Sequence, residues 1–66
     1  MIHMTPDEYR AALQALGLTQ VAAGRLLGVS PRTAQEYALK GPSGPAAFAM
    51  RLLLAMPDKE RAKWLA

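Results

Sequence analysis

The sequence predicts an all-α fold, a compact bundle of about five short helices with no strand. Three observations lead there. The signatures Thr5-Pro6 (with Glu8 following) and Ser30-Pro31 each join a side-chain N-cap to a proline at the first helical position. Gly17, Gly28 and Gly41 close helix-forming stretches, where a left-handed residue ends a helix. Between these marks, apolar residues return at helical spacing.

The elements follow in order. Residues 5–17 form the first helix, with Thr5 as N-cap, Pro6 at its first position and Glu8 completing a capping box. Tyr9, Ala12, Leu13 and Leu16 make its buried stripe, and Gly17 stops it. Thr19 caps the second helix, 19–27, with Ala23, Leu26 and Leu27 inward and Gly24 permitting close approach of a neighbour. Gly28 turns the chain in the left-handed conformation, and Val29 plugs the core beneath the turn. The third helix, 30–40, is capped by Ser30, opened by Pro31 and ended by Gly41. Residues 41–45 are a loop on turn chemistry. A fourth helix spans 45–56, Pro57 breaks it, and 58–65 forms the last.

The 66 residues suffice for one domain, 1–66. So short a chain buries a limited fraction of its surface, and association would add stability. There is no cysteine, hence no disulfide and no thiolate metal site. The one histidine, His3, lies near the start. With no histidine in the body and no paired acids in a plausible pocket, neither an enzyme nor a metal or other cofactor is expected. No secretory pattern opens the chain. The longest apolar stretch, 46–56, is too short for a bilayer and is interrupted by Arg51. A reducing, cytoplasmic location is therefore expected. Residues 1–3 are left out of the fold reading, with Met4 an alternative start.

Charge narrows the class further. The formal net charge is +3 and the sequence pI about 9.8, a mild basic bias that permits nucleic acid without requiring it. Arg25, Arg32 and Lys40 flank the third helix, opposed there only by Glu36. Asp7, Glu8, Asp58 and Glu60 fall near the starts of other helices, where the helix dipole favours negative charge.

Residues 19–37 form two short helices pinned at a glycine turn, the arrangement of a helix-turn-helix. At about 100° per residue, Ala34, Tyr37 and Ala38 of the third helix share its core face. Arg32, Glu36 and Leu39 lie opposite, with Gln35 on one flank and Thr33 and Lys40 on the other. These are major-groove chemistries. Arginine binds guanine O6 and N7, glutamine binds adenine N6 and N7, glutamate accepts from cytosine N4, and an aliphatic group packs on the thymine methyl. Arg32, Gln35, Glu36 and Leu39 are the base-reading candidates, Arg32 foremost because it stands at the helix start. The competing reading pairs Arg32 with Glu36, four residues on, on a solvated face, and turns Leu39 to the core edge. Phosphate candidates are Thr19, Gln20, Arg25, Ser30, Thr33, Lys40 and Ser43; such contacts position a protein without reading sequence.

At these residues the chain resembles the Cro/cI-type helix-turn-helix family of phage and bacterial repressors. The likeness runs from about Leu16 to Leu54 and is strongest over Gln20 to Tyr37. Gln20 opens the first helix of the motif, Gly24 stands at the helix crossing where alanine is commoner, and Gly28-Val29 make the turn. Ala34 and Tyr37 keep the second helix apolar inward, although a larger aliphatic is usual at 34. Residues 28–37, followed by the Gly41-Pro42 loop and a leucine-rich helix, look like small proteobacterial and phage regulators, anti-CRISPR-associated repressors among them. The resemblance implies a lambda repressor-like DNA-binding domain acting as a dimeric repressor, often of its own operon.

The fourth helix is apolar nearly all round, whereas a helix on a small monomer needs one stripe. Phe48, Leu52 and Ala55 serve as that stripe. Met50, Leu53, Leu54 and Met56 are then surplus and, with Trp64 and Leu65, form a candidate two-fold dimer seam. Alternatively the last helix folds back and covers them. Two-fold pairing would suit an inverted-repeat operator on double-stranded DNA. Two rivals stay open: an antitoxin or other protein-interaction module using the motif as scaffold, and an architectural DNA binder with little sequence preference. Neither a membrane nor a small-molecule effector is expected as partner.

Overall fold

The computed structural model describes residues 3–65. It contains five helices, α1 (Pro6–Leu16), α2 (Gln20–Leu27), α3 (Pro31–Lys40), α4 (Gly44–Ala55) and α5 (Asp58–Leu65), and no strand among the described residues. None of these helices is long and apolar enough to cross a membrane.

Local chemistry sets each boundary. Thr5 and Glu8 close the capping box of α1, Thr5 N–H donating to Glu8 Oε1 at 2.9 Å and Glu8 N–H to Thr5 Oγ1 at 3.1 Å. The Thr5 amide, with the Thr5 side chain and then Arg51 behind it, holds the Glu8 carboxyl below its ordinary range. Gly17 and Gly28 end α1 and α2 at φ of 68° and 73°. At each, the following amide reaches back five residues, Leu18 N–H to Leu13 O and Val29 N–H to Gly24 O, both 2.9 Å. These are Schellman closures, in which an apolar residue after the glycine packs back on the helix. Thr19, Ser30 and Ser43 cap α2, α3 and α4 through their hydroxyls. The Ser43 cap starts α4 at Gly44, one residue before the expected Pro45.

The main packings are α2 on α3, α1 on α3 and α1 on α4. The core they enclose is rich in alanine: Ala12, Ala23, Ala38 and Ala47, with Met4, Leu13 and the two largest fully buried side chains, Tyr9 and Met50. Small residues let helix backbones approach, so the crossings are close and the larger side chains fill only the centre. Met4, the alternative start, belongs to this fold, and the backbone of His3, one of the residues set aside from the fold reading, also contacts it. The Met4 side chain is buried, and Arg51 donates to the His3 carbonyl at 2.7 Å. Met1 and Ile2 lie outside the described residues.

The fourth helix faces the opposite way from the sequence reading. Met50 and Leu53, expected at a dimer seam, are buried within the chain, and Leu54 packs against the core. Phe48 and Leu52, expected inward, are 49% and 45% exposed, and Ala55 is exposed too. An all-round apolar helix carries no directional signal. Its rotation follows instead from packing on the rest of the bundle, α1 above all, which leaves Ala46, Ala47, Met50 and Leu53 buried. Leu26 is likewise exposed rather than inward.

The last helix does not cover this surface. It has no fully buried residue, Trp64 is 63% exposed, and Leu65 and Met56 are half-buried. Arg61 ties α5 to the end of α4, Nε donating to Leu53 O at 2.8 Å and Nη2 to Leu54 O and Met56 O at 3.1 and 3.2 Å. A guanidinium there satisfies the helix's last carbonyls and complements its dipole.

Among the described residues, one buried side-chain polar atom lacks a partner. Tyr9 packs edge-on to Tyr37, ring centres 6.0 Å apart, and its hydroxyl makes no hydrogen bond. Burial, with a smaller contribution from Tyr37, raises its pKa above the usual 10.0. Leaving a buried hydroxyl unsatisfied costs about 1–3 kcal/mol. Tyr9→Phe should therefore raise stability by roughly 1 kcal/mol, read by thermal unfolding. The raised phenol also contributes stability that is whole below pH 10 and is lost as pH rises through the folded-state pKa. The Phe variant should lack that alkaline loss.

Candidate nucleic-acid interface

The third helix is fixed at its start, its back and its end. Ser30 Oγ accepts from Thr33 N–H and donates to Thr33 Oγ1, both at 3.1 Å. These two hydroxyls thus hold the first turn together. Ala34 and Ala38 are buried against α2 and α1. At the α2–α3 crossing a Cβ added to Gly24 would sit 2.8 Å from Ala34 Cβ. Glycine opposite alanine sets this approach, and accounts for the small residue at 34. Gly41 ends α3 at φ 99°, where a Cβ would meet the Met4 carbonyl at 3.0 Å.

The opposite face is open. Arg32, Gln35, Glu36, Leu39 and Lys40 are all exposed. Leu39 is 74% exposed, which excludes it from the core edge. Arg32 and Glu36 do pair, with Nε 3.9 Å from Oε1, and the Arg32 side chain is 90% exposed. A surface pair this long is worth at most about 1 kcal/mol. It engages Nε and leaves the terminal guanidinium nitrogens without a protein partner among the described residues. That is the edge required for a bidentate contact with guanine.

Gln20, at the first position of α2, and Gln35 line one shallow cleft of about 280 Å³ together with Leu39, Ala38 and Arg10. Arg10 is absent from the candidates read from sequence. It donates to the Ala38 carbonyl and pairs with Asp7, bridging α1 to the far end of α3. As the only cation of α1 it is visible in the sequence. Which neighbour the polar face of α1 meets is decided by tertiary packing.

The other phosphate candidates are spread more widely. Thr19 Oγ1 accepts from Ala22 N–H at 3.0 Å, exposed at the head of α2. Arg25 and Lys40 stand exposed in the last turns of α2 and α3, without an ion pair among the described residues. Ser43 is placed apart, its hydroxyl 3.2 Å from that of Tyr37, beside a second cleft between α2 and α4. The candidate surface therefore has Arg32 with Glu36 on the open face of α3 and Gln20, Gln35, Leu39 and Arg10 gathered at one side. No protein-family model, curated protein or solved structure matches the chain.

Proposed function

We propose that the chain is a sequence-specific double-stranded DNA-binding regulator, a homodimeric repressor acting on an inverted-repeat operator, with α3 in the major groove. The observation that carries this reading is the open face of α3. It presents a guanidinium, an amide, a carboxylate and an aliphatic group from a helix that is capped at its start and held close to α2. Arg32 reads bases, with Gln35, Glu36 and Leu39 beside it. Gln20, Thr19, Arg25 and Lys40 hold phosphates, and Arg10 adds a cation beside Gln20 and Gln35.

The test is binding to the DNA directly upstream of the chain's own gene, followed by footprinting. Specific protection should appear as two half-sites about one helical turn apart. Affinity should fall steeply with salt, by about tenfold or more between 50 and 200 mM, as contacts to several phosphates require. The rival, a protein-interaction module, draws support from the open α2–α4 cleft. It expects association that changes little over the same salt range and no footprint.

A further inference from the structure

The last carbonyls of a helix need donors from outside it. Within a helix, the carbonyl of one residue takes the amide of the residue four further on. For Ala38, near the end of α3, that residue is Pro42; for Leu53, near the end of α4, it is Pro57. A proline has no N–H to give. In both cases an arginine from another helix donates instead, Arg10 Nη1 of α1 to Ala38 O and Arg61 Nε of α5 to Leu53 O.

The two arginines hold different things. Arg61 joins helices that follow one another in the chain. Arg10 reaches a carbonyl 28 residues away and fastens the far end of α3, the helix proposed to enter the groove. The start of α3 is held by Ser30 and Thr33, and its middle by Ala34 at the α2 crossing. Past Ala38 the chain leaves the helix at Gly41, with Gly41 N–H on Tyr37 O at 2.9 Å as the closing bond.

We infer that Arg10 is a positioning residue for base reading, its guanidinium clamping the far end of α3 to α1 so that Gln35 and Leu39 keep their place against the groove. The inference rests on the DNA-binding reading above and deepens it. First, the donated bond serves a carbonyl that its own helix cannot serve. Second, the guanidinium has another partner on α1, with Nη2 on Asp7 Oδ1. Asp7 is exposed, so this pair adds orientation more than energy, and a planar fork held at two points fixes direction as well as distance. Third, Arg10 lines the cleft shared by Gln20, Gln35, Ala38 and Leu39, whereas Arg32 stands at the other end of α3. The clamp thus acts on one half of the reading face and leaves the other to the Ser30 cap.

The test replaces Arg10 by Met, which keeps a stem without donors, and by Lys, which keeps the charge without the fork. Without DNA, hydrogen exchange reads the clamp itself. The Gly41 amide should exchange at least about tenfold faster in Arg10→Met, while the Gly17 and Gly28 amides at the other glycine caps stay as they are. With DNA, each base pair of a footprinted half-site is substituted in turn. Arg10→Met should lose about tenfold of discrimination at the base pairs that Gln35→Ala and Leu39→Ala also relax, and keep it at the guanine that Arg32→Ala relaxes. The slope of affinity against salt should not change. Arg10→Lys should show the same pattern, smaller, and carries the comparison if Arg10→Met loses its helical circular dichroism. A slope shallower by about one with discrimination intact makes Arg10 a phosphate contact and overturns the inference. Uniform loss over all base pairs, the mark of a fold weakened as a whole, overturns it too, as does unchanged Gly41 exchange. A parent chain that leaves no footprint removes the DNA-binding reading and the positioning role with it, while the Gly41 exchange still decides whether the clamp exists.

Discussion

Arg32→Ala should lower affinity for the footprinted operator by about tenfold to a hundredfold, while binding to random DNA changes little. A bidentate arginine–guanine contact contributes roughly 1–3 kcal/mol of discrimination, and Arg32 offers the geometry for it. Its side chain is 90% exposed, and its one ion pair, to Glu36, is 3.9 Å long and uses Nε. Breaking that pair costs little, so the loss on the operator reports the base contact. Arg32→Lys sharpens the experiment. It keeps the charge but not the planar fork, and should leave affinity for random DNA unchanged without restoring affinity for the operator. Titration of both variants against operator and scrambled duplexes at one salt concentration checks this. Equal loss on both duplexes would assign Arg32 to a phosphate, and no loss on either would remove it from the interface.

Gly24→Ala should destabilise the fold by about 1–3 kcal/mol, the cost of an extra methyl in a packed crossing. The sign is informative because alanine is otherwise the better helix former by about 1 kcal/mol. The new Cβ would stand 2.8 Å from Ala34 Cβ. Neither atom belongs to a flexible side chain, so α2 and α3 must separate. Adding Ala34→Gly should recover part of the loss, and a double-mutant cycle by chemical denaturation should give a coupling of about 1 kcal/mol. Because Ala34 lies on the back of α3, the single variant should also move the open face and weaken DNA binding beyond its effect on stability. Gly24→Ala as stable as the parent would mean that the crossing tolerates wider spacing.

The helix boundaries were legible because their causes are local. Thr5, Thr19 and Ser30 cap through their own hydroxyls, and Gly17 and Gly28 turn through their own backbone. The open face of α3 was legible too. Pro31 and Gly41 fix its ends, and its small apolar residues fall on one side. Arg10 was hidden, because its partner is the Ala38 carbonyl, 28 residues away. The extent of the core was also hidden. Burial at the crossings favours alanine, while leucine and phenylalanine, the usual markers of an interior, stand partly in solvent at Leu26, Leu52 and Phe48.

What the sequence by itself determined, then, is where each helix starts and stops and which face of α3 is polar. The tertiary structure alone decided the rotation of α4, which buries Met50 and Leu53 and turns Phe48 and Leu52 outward. Capping and turn formation act within a few residues and are written in short motifs. The rotation of a helix that is apolar all round is not written in its own periodicity. It is set by the packing of α4 on α1 and the rest of the core, which leaves Ala46, Ala47, Met50 and Leu53 buried and turns the other side to the cleft between α2 and α4.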